Sequence, residues 1–377
     1  MNYKMNFFNK FKVQSFTLDL FYENQIKKSN DKMNYSNLPN TTTKISKIAL
    51  GTMTFGEQNT EVEGHAQMDY ALDNGVNFFD TAEMYSVPAK KETYGSTEKI
   101  IGTWFKKTGN RENVILATKI AGPNRNLNYM REENDFSPSS LTFALDQSLR
   151  RLQTNYIDLY QLHWPERKSN MFGMLGFKIQ EDLWEDNFQS VLECLQGFIK
   201  QGKIRNIGVS NETPWGLMHF LEESKKHNLP RMATIQNPYS LVNRSFEVGL
   251  SEVCHRENVG LLAYSPLAFG VLSGKFLNGA NPPNARINLF PQFARYNSEN
   301  TREASRRYNE IANDFGLTLT ELSLAFVNQQ PFLSSTIIGA TSLEQLKENI
   351  NTIKVTLDEN VLAEIEKIHN VFPNPAP

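Results

Sequence analysis

The chain has 377 residues, 40% hydrophobic and 21% charged, the balance of an ordinary soluble protein with room for a large core. A formal net charge of −2 removes any electrostatic reason to expect nucleic acid or an anionic membrane as partner, and no apolar run approaches the length of a membrane span. The two cysteines, Cys194 and Cys254, lack metal-ligand spacing and read as free thiols of a reducing cytoplasm, the expected location.

Residues 1–32 hold Lys4, Lys10 and Lys12, then Phe16 to Tyr22, with no continuous apolar segment, no small-residue cleavage site and no arginine. Neither a secretory signal nor a mitochondrial transit peptide is expected from them. They are expected to be a disordered extension or an upstream start that the cell does not use, with one domain running from Met33 to Pro377.

From about residue 45, short apolar runs alternate with amphipathic segments. The strand-like runs are Ile48–Leu50, Val76–Phe79, Val114–Thr118, Ile157–Leu162, Ile204–Val209, Met232–Gln236, Gly260–Tyr264 and Ser335–Ile338. Between them lie the helix-like stretches His65–Asp73, Ser96–Lys106, Ser139–Leu152, Phe188–Gln201, Pro214–His227, Phe246–His255, Thr301–Asp314 and Ser342–Asn351, with Ser139 and Ser342 as capping residues. This alternation predicts parallel strands with right-handed helical crossovers, closed into a single-domain α/β fold, the (β/α)8 TIM barrel. Two further helices, Leu319–Gln329 and Glu359–Val371, are extra to it. Three long loops, 120–138, 164–187 and 265–300, follow strands and open on the catalytic face of such a barrel. In the second, Met171, Phe172, Met174, Leu175 and Phe177 fit either a lid or a loop packed on its own barrel.

Three strands end on groups that handle protons or charge. Val76–Phe79 runs into Asp80 with Tyr85 just beyond, Val114–Thr118 into Lys119, and Ile157–Leu162 into His163. Strand C-termini of a barrel share one face, so the four converge there. A phenol normally ionises near pH 10, and a neighbouring ammonium lowers that value. An aspartate holds the lysine in place, and an imidazole can orient a carbonyl oxygen, giving a general acid aimed at a polarised C=O. An isolated buried Asp–Lys pair serves structure as readily as catalysis, and Tyr85 alone would be a packing residue. The coincidence of all four at strand ends is what a purely structural role does not predict.

No Gly-x-Gly-x-x-Gly follows a strand, and Gly270–Phe276 is one residue short of a P-loop and lacks its hydroxyl. Barrels often hold phosphate at the loops after the last two strands. Here those loops offer Ser265, Lys275 and Arg286, then the turn Gly339–Ser342 at a helix N-terminus, which fits anion binding or mere capping. Ser210, Asn211 and Gln236 suit a neutral carboxamide, and Tyr264 offers a flat ring for stacking. Together they suit a nicotinamide across the barrel mouth. The histidines are scattered without His-Glu-x-x-His, so no metal is expected.

With these residues in hand, the sequence resembles the aldo-keto reductase superfamily. The matching motifs are Leu50–Gly56, Asn77–Tyr85, Ala117–Lys119, Leu159–Pro165, Gly202–Asn211, Gln236–Leu241 and Asn243–Glu247, together with the terminal Pro-Ala-Pro. The likeness covers Met33 to Pro377, is greatest to the bacterial Tas-like reductases, and extends more distantly to the voltage-gated potassium-channel β subunits. It implies NADPH-dependent reduction of an aldehyde or ketone, with Tyr85 as proton donor, Lys119 and Asp80 as its tuning pair, and His163 orienting the carbonyl. It further implies cofactor contacts from Thr52, Met53, Asp80, Ser210, Asn211, Gln236, Tyr264, Ser265, Pro266, Leu267, Lys275, Arg286, Gly339, Thr341, Gln345, Glu348 and Asn349. Gln345 stands where several branches carry an arginine facing the 2′-phosphate. Glutamine is also used in the channel-subunit branch, so NADPH stays favoured over NADH. The rival reading is an NADPH-binding regulatory or interaction subunit with little turnover. Against it, His163 stands where the channel-subunit branch has asparagine. The expected partner is a small carbonyl substrate near Met53, Trp164 and the loops 122–138 and 168–187. Its identity and the oligomeric state are not encoded in any motif.

Overall fold

The computed structural model describes residues 33–123, 125–179 and 184–377. The expectation for residues 1–32 lies outside the described residues. The chain opens with a short antiparallel hairpin, β1 (Tyr35–Asn37) and β2 (Lys44–Ser46), and continues through β3 (Ile48–Gly51), β4 (Phe78–Asp80), β5 (Ile115–Ile120), β6 (Ile157–Leu162), β7 (Ile204–Ser210), β8 (Met232–Pro238), β9 (Gly260–Tyr264) and β10 (Leu333–Ile338). Strands β3 to β10 pair in parallel in sequence order, and β10 returns to β3 to close the barrel. Helices α1 (Glu61–Asp73), α2 (Ser96–Thr108), α3 (Pro138–Leu152), α4 (Phe188–Lys200), α5 (Pro214–His227), α6 (Leu250–Glu257), α7 (Arg286–Leu289), α8 (Glu299–Asp314), α9 (Leu319–Asn328), α10 (Leu343–Asn351) and α11 (Glu359–Val371) complete the described elements. The strands are near-continuous apolar runs because a parallel barrel buries both of their faces. Among the described residues, no helix is long and apolar enough to cross a membrane.

Inside the barrel, Ala49, Phe78, Ala117, Leu159, Leu262 and Ile337 pack together. Leu38 and Ile45 of the hairpin, both fully buried, join them and plug the N-terminal end. The sequence reading did not contain this hairpin, because its strands are only three residues long and carry no readable period.

Several boundaries differ locally. Helix α1 begins four residues before the expected His65, where Thr60 and Glu63 form a reciprocal capping box. Helix α3 is capped by Ser137 and not by Ser139, since Pro138 fits the first helical turn with its fixed φ and missing N–H. Ser342 caps α10 as expected, accepting from the Gln345 amide. The expected helix over 246–255 splits into a short 3-10 turn, Ser245–Val248, and α6 beyond Gly249. The apolar loop after β6 divides as well: Met171 and Phe172 pack against the Trp164 cluster, whereas Met174, Leu175 and Phe177 are exposed.

Candidate active site

Register in the barrel places the reactive groups. Gly51 pairs with Asp80, Asp80 with Ala117, Lys119 with Gln161, and Ser210 with Gln236. The buried Lys119 ammonium donates to Asp80 Oδ2 and to the Thr81 carbonyl, both at 2.7 Å. Asp80 Oδ1 accepts from Gln236 Nε2 at 2.8 Å and from Gln161 Nε2 at 3.4 Å, while Gln236 also donates to Gln161 Oε1 at 3.3 Å. Both carboxylate oxygens are therefore engaged, as burial of a charge requires. Burial pulls the Lys119 ammonium below its ordinary value, and Asp80 opposes that shift.

The segment from Asp80 to Tyr85 is laced to β5. Thr81 N donates to Ala117 O at 2.9 Å and Glu83 N to Lys119 O at 3.1 Å. The buried Glu83 accepts from Ala121 N and Arg131 Nη1, both at 2.7 Å. Tyr85 is thereby held with its ring edge-on to His163, centroids 5.7 Å apart, and Lys119 Nζ lies 5.0 Å from the centre of the Tyr85 ring. The ionisation balance differs from the sequence expectation. Burial pushes the Tyr85 phenol well above its ordinary value, Asp80 pushes the same way, and Arg286 is the cation that pulls it down. Lys119, already paired with Asp80, is not that cation.

His163 follows β6, its amide bonded to Ile120 O at 2.9 Å. Its ring lies between Tyr85 and Trp164, the latter 5.0 Å away. Burial holds the imidazole well below its ordinary value, with Lys119 and Arg125 adding to the effect. A neutral imidazole with a buried, unpartnered Nδ1 is thus presented beside the Tyr85 phenol.

Around this centre, Ser210 Oγ donates to Gln236 O at 2.8 Å, and Asn211 Nδ2 donates to His163 O at 2.9 Å and to Ser210 Oγ at 3.1 Å. Tyr264 donates to Asn211 Oδ1 at 2.7 Å. Thr52 donates to Asp80 O at 2.8 Å, and Met53 O accepts from Val87 N at 3.1 Å. After β9, Ser265 adopts a positive φ of 53° and leads through the buried Pro266 and half-buried Leu267 toward Lys275 and Arg286. Beyond β10, Thr341 N donates to Gln345 Oε1 at 3.0 Å and Asn349 Nδ2 to Gly339 O at 3.4 Å, with Glu348 exposed on the same helix.

The sequence model of the aldo/keto reductase family matches residues 47–370. The chain belongs to the aldo/keto reductase family. Protein tas of Escherichia coli is 50% identical over 346 residues, covering 92% of this chain and all of that protein. The oxidoreductase YrpG of Bacillus subtilis is 33% identical over 91% of this chain and 97% of its own length. Norsolorinic acid reductase B of Dothistroma septosporum is 27% identical over 94% of this chain and 85% of its own. The chain is accordingly an oxidoreductase.

Aldo/keto reductases generally use NAD(P)H, and the residues present fit such a group. Lys275 and Arg286 are partly buried cations, Arg286 close enough to pull the Lys275 ammonium down, and neither has an acidic partner among the described residues. Burial pushes Arg286 down to about 10. Two adjacent unpaired cations suit a diphosphate. Sequence reasoning missed Gln161, whose signal was a polar residue inside a buried strand. It also missed Glu83 and Arg131, which clamp the Tyr85 loop, and Arg125 and Arg295 in the long loops.

Proposed function

We propose that this aldo/keto reductase uses NADPH to reduce an aldehyde or ketone to the alcohol, with Tyr85 as general acid. The observation that carries the reading is the meeting of Tyr85, His163 and the Lys119–Asp80 pair at one mouth of the barrel. When bound, the nicotinamide supplies a hydride to the carbonyl carbon and leaves oxidised. Tyr85 gives its proton to the carbonyl oxygen, and solvent later returns one to the phenolate. The raised phenol keeps Tyr85 protonated at neutral pH, so the acid is present when the carbonyl arrives. Arg286 then faces the phenolate as it forms, stabilising charge that develops only during the reaction, while Lys119 stays paired with Asp80. His163, neutral, donates a hydrogen bond that fixes the carbonyl oxygen near Tyr85.

Thr52, Met53, Ser210, Asn211 and Gln236 would border the nicotinamide, and Tyr264 would stack on it. Ser265, Pro266, Leu267, Lys275 and Arg286 would follow the phosphates, with Gly339, Thr341, Gln345, Glu348 and Asn349 at the adenine end. The two free thiols accord with work in the cytoplasm.

The test is a panel of aldehydes, ketones and quinones with the purified protein, following NADPH absorbance. Tyr85→Phe should keep NADPH affinity and lose nearly all turnover. Unchanged kcat in that variant rejects Tyr85 as the acid, and equal affinity for NADH rejects the cofactor preference.

A further inference from the structure

Two arginines at the mouth have no role in the chemistry above. The Arg125 guanidinium lies 3.8 Å from the centre of the Phe172 ring and 5.5 Å from that of Trp164, whose indole borders His163. Arg295 packs its Cδ against Gly173, bonds Tyr296 Oη through Nη2 at 2.6 Å, and leaves Nη1 buried without a partner. Both lie within electrostatic reach of the Tyr264 phenol, Arg295 close enough to hydrogen-bond it, and Arg295 in turn acts on Arg125. Neither forms an ion pair among the described residues. Outside the proposed phosphate loop with its unpaired Arg286, other buried arginines meet acids: Arg131 meets Glu83, Arg151 meets Glu98 and Arg167 meets Glu212.

A buried guanidinium nitrogen without an acceptor is a standing penalty unless something fills it. Two like charges around one phenol, beneath one turn of the loop after β6, add repulsion that an anion between them would remove. Stacking on Phe172 covers the flat face of Arg125 and leaves its in-plane N–H groups free for a two-point bond to an oxyanion. Only the Trp164 indole separates this group from His163, so the anion would sit a short molecule's length from the carbonyl.

We infer that Arg125 and Arg295 form an anion-recognition pair, and that the substrate is a carbonyl compound bearing a carboxylate or phosphate group. This rests on the reductase reading above for the carbonyl end alone.

The full-length protein is assayed with matched pairs: 4-carboxybenzaldehyde against benzaldehyde, and glyceraldehyde 3-phosphate against glyceraldehyde. The expected result is a kcat/KM about tenfold or more in favour of the anionic member of one pair, which names the anion. Arg125→Gln should lower that ratio about tenfold, mainly through KM, with Arg125→Lys retaining part of it. Arg295→Gln should do the same. Because Arg295 packs tightly and that variant can fail to fold, Arg125→Gln at the rim decides. A ratio near one in the wild type, or one unmoved by Arg125→Gln, overturns the inference, as does a loss of NADPH affinity in place of substrate affinity.

If no aldehyde is reduced, the reductase reading fails separately. Calorimetric titration of terephthalate and of inorganic phosphate then decides the anion site. Binding that Arg125→Gln abolishes supports it, and no binding to the wild type overturns it.

Discussion

Gln236 Nε2 donates to Asp80 Oδ1 at 2.8 Å across 156 residues of sequence, and this bond ties β8 to the end of β4 at the centre of the barrel. With Lys119 on the other oxygen, one carboxylate joins three strands that never neighbour one another as a set. This mouth of the barrel is therefore held together by side-chain bonds as well as by the strand ladder.

The Asp80–Lys119 pair is fully enclosed, so removing one partner leaves the other charged without compensation. Lys119→Met should destabilise the protein by roughly 3–5 kcal/mol. The double variant Asp80→Leu with Lys119→Met should lose less than the sum of the single variants. Urea unfolding of the four proteins checks this, and strict additivity counts against a coupled pair.

Gln161 holds Asp80 from a fourth strand, β6. Gln161→Leu removes a donor to Asp80 Oδ1 and an acceptor for Gln236. The expected loss is about 1–3 kcal/mol of stability together with a lower kcat, because the carboxylate that anchors Lys119 is left with fewer partners. Thermal denaturation and turnover measured on the same preparation test both halves.

His163 gives a pH dependence with a defined sign. Burial first, then Lys119 and Arg125, hold its imidazole well below the ordinary 6.5 in the folded protein. Below about pH 6.5 the unfolded chain takes up a proton that the folded protein refuses, so stability falls as pH falls and is fully present above that point. At one unit below, the contribution is on the order of 1 kcal/mol. His163→Asn should remove it. Urea midpoints across the acid range compare the two proteins, and parallel curves would falsify the assignment.

Gly122 touches the site through packing. A Cβ there would lie 2.7 Å from Trp164 Nε1 and 2.9 Å from the Trp164 carbonyl oxygen. Gly122→Ala should displace the indole, strain its 2.9 Å bond to Pro123 O and shift His163 behind it. A loss of about 1–3 kcal/mol and a change in tryptophan fluorescence are expected. An unperturbed emission spectrum would mean that the loop yields instead.

How far the sequence revealed this molecule varies from residue to residue. Ile157–Leu162 and Gly260–Tyr264 are strands over the expected residues, since each is a short, mostly apolar run that gives way to a proline-containing segment. The convergence of Asp80, Lys119 and His163 followed from barrel topology alone. The hairpin at Tyr35–Ser46 escaped notice because three-residue strands hold no periodicity. Gln161 was hidden inside an apolar strand, and its partner lies two strands away. The ionisation of Tyr85 depends on burial and on Arg286, which arrives from a loop 201 positions further along by plain residue numbering. Arg125 and Arg295 sit in long loops, where no pattern of apolar spacing dictates the path of the chain.

The hairpin carries a last consequence. Among the described residues, Leu38 and Ile45 pack into the far end of the barrel and leave the mouth at the strand C-termini as the doorway. On the reading proposed here, cofactor and substrate share that doorway, and whichever sits deeper leaves last. The order of arrival and departure would then be written into the architecture, and product-inhibition patterns would read as a queue.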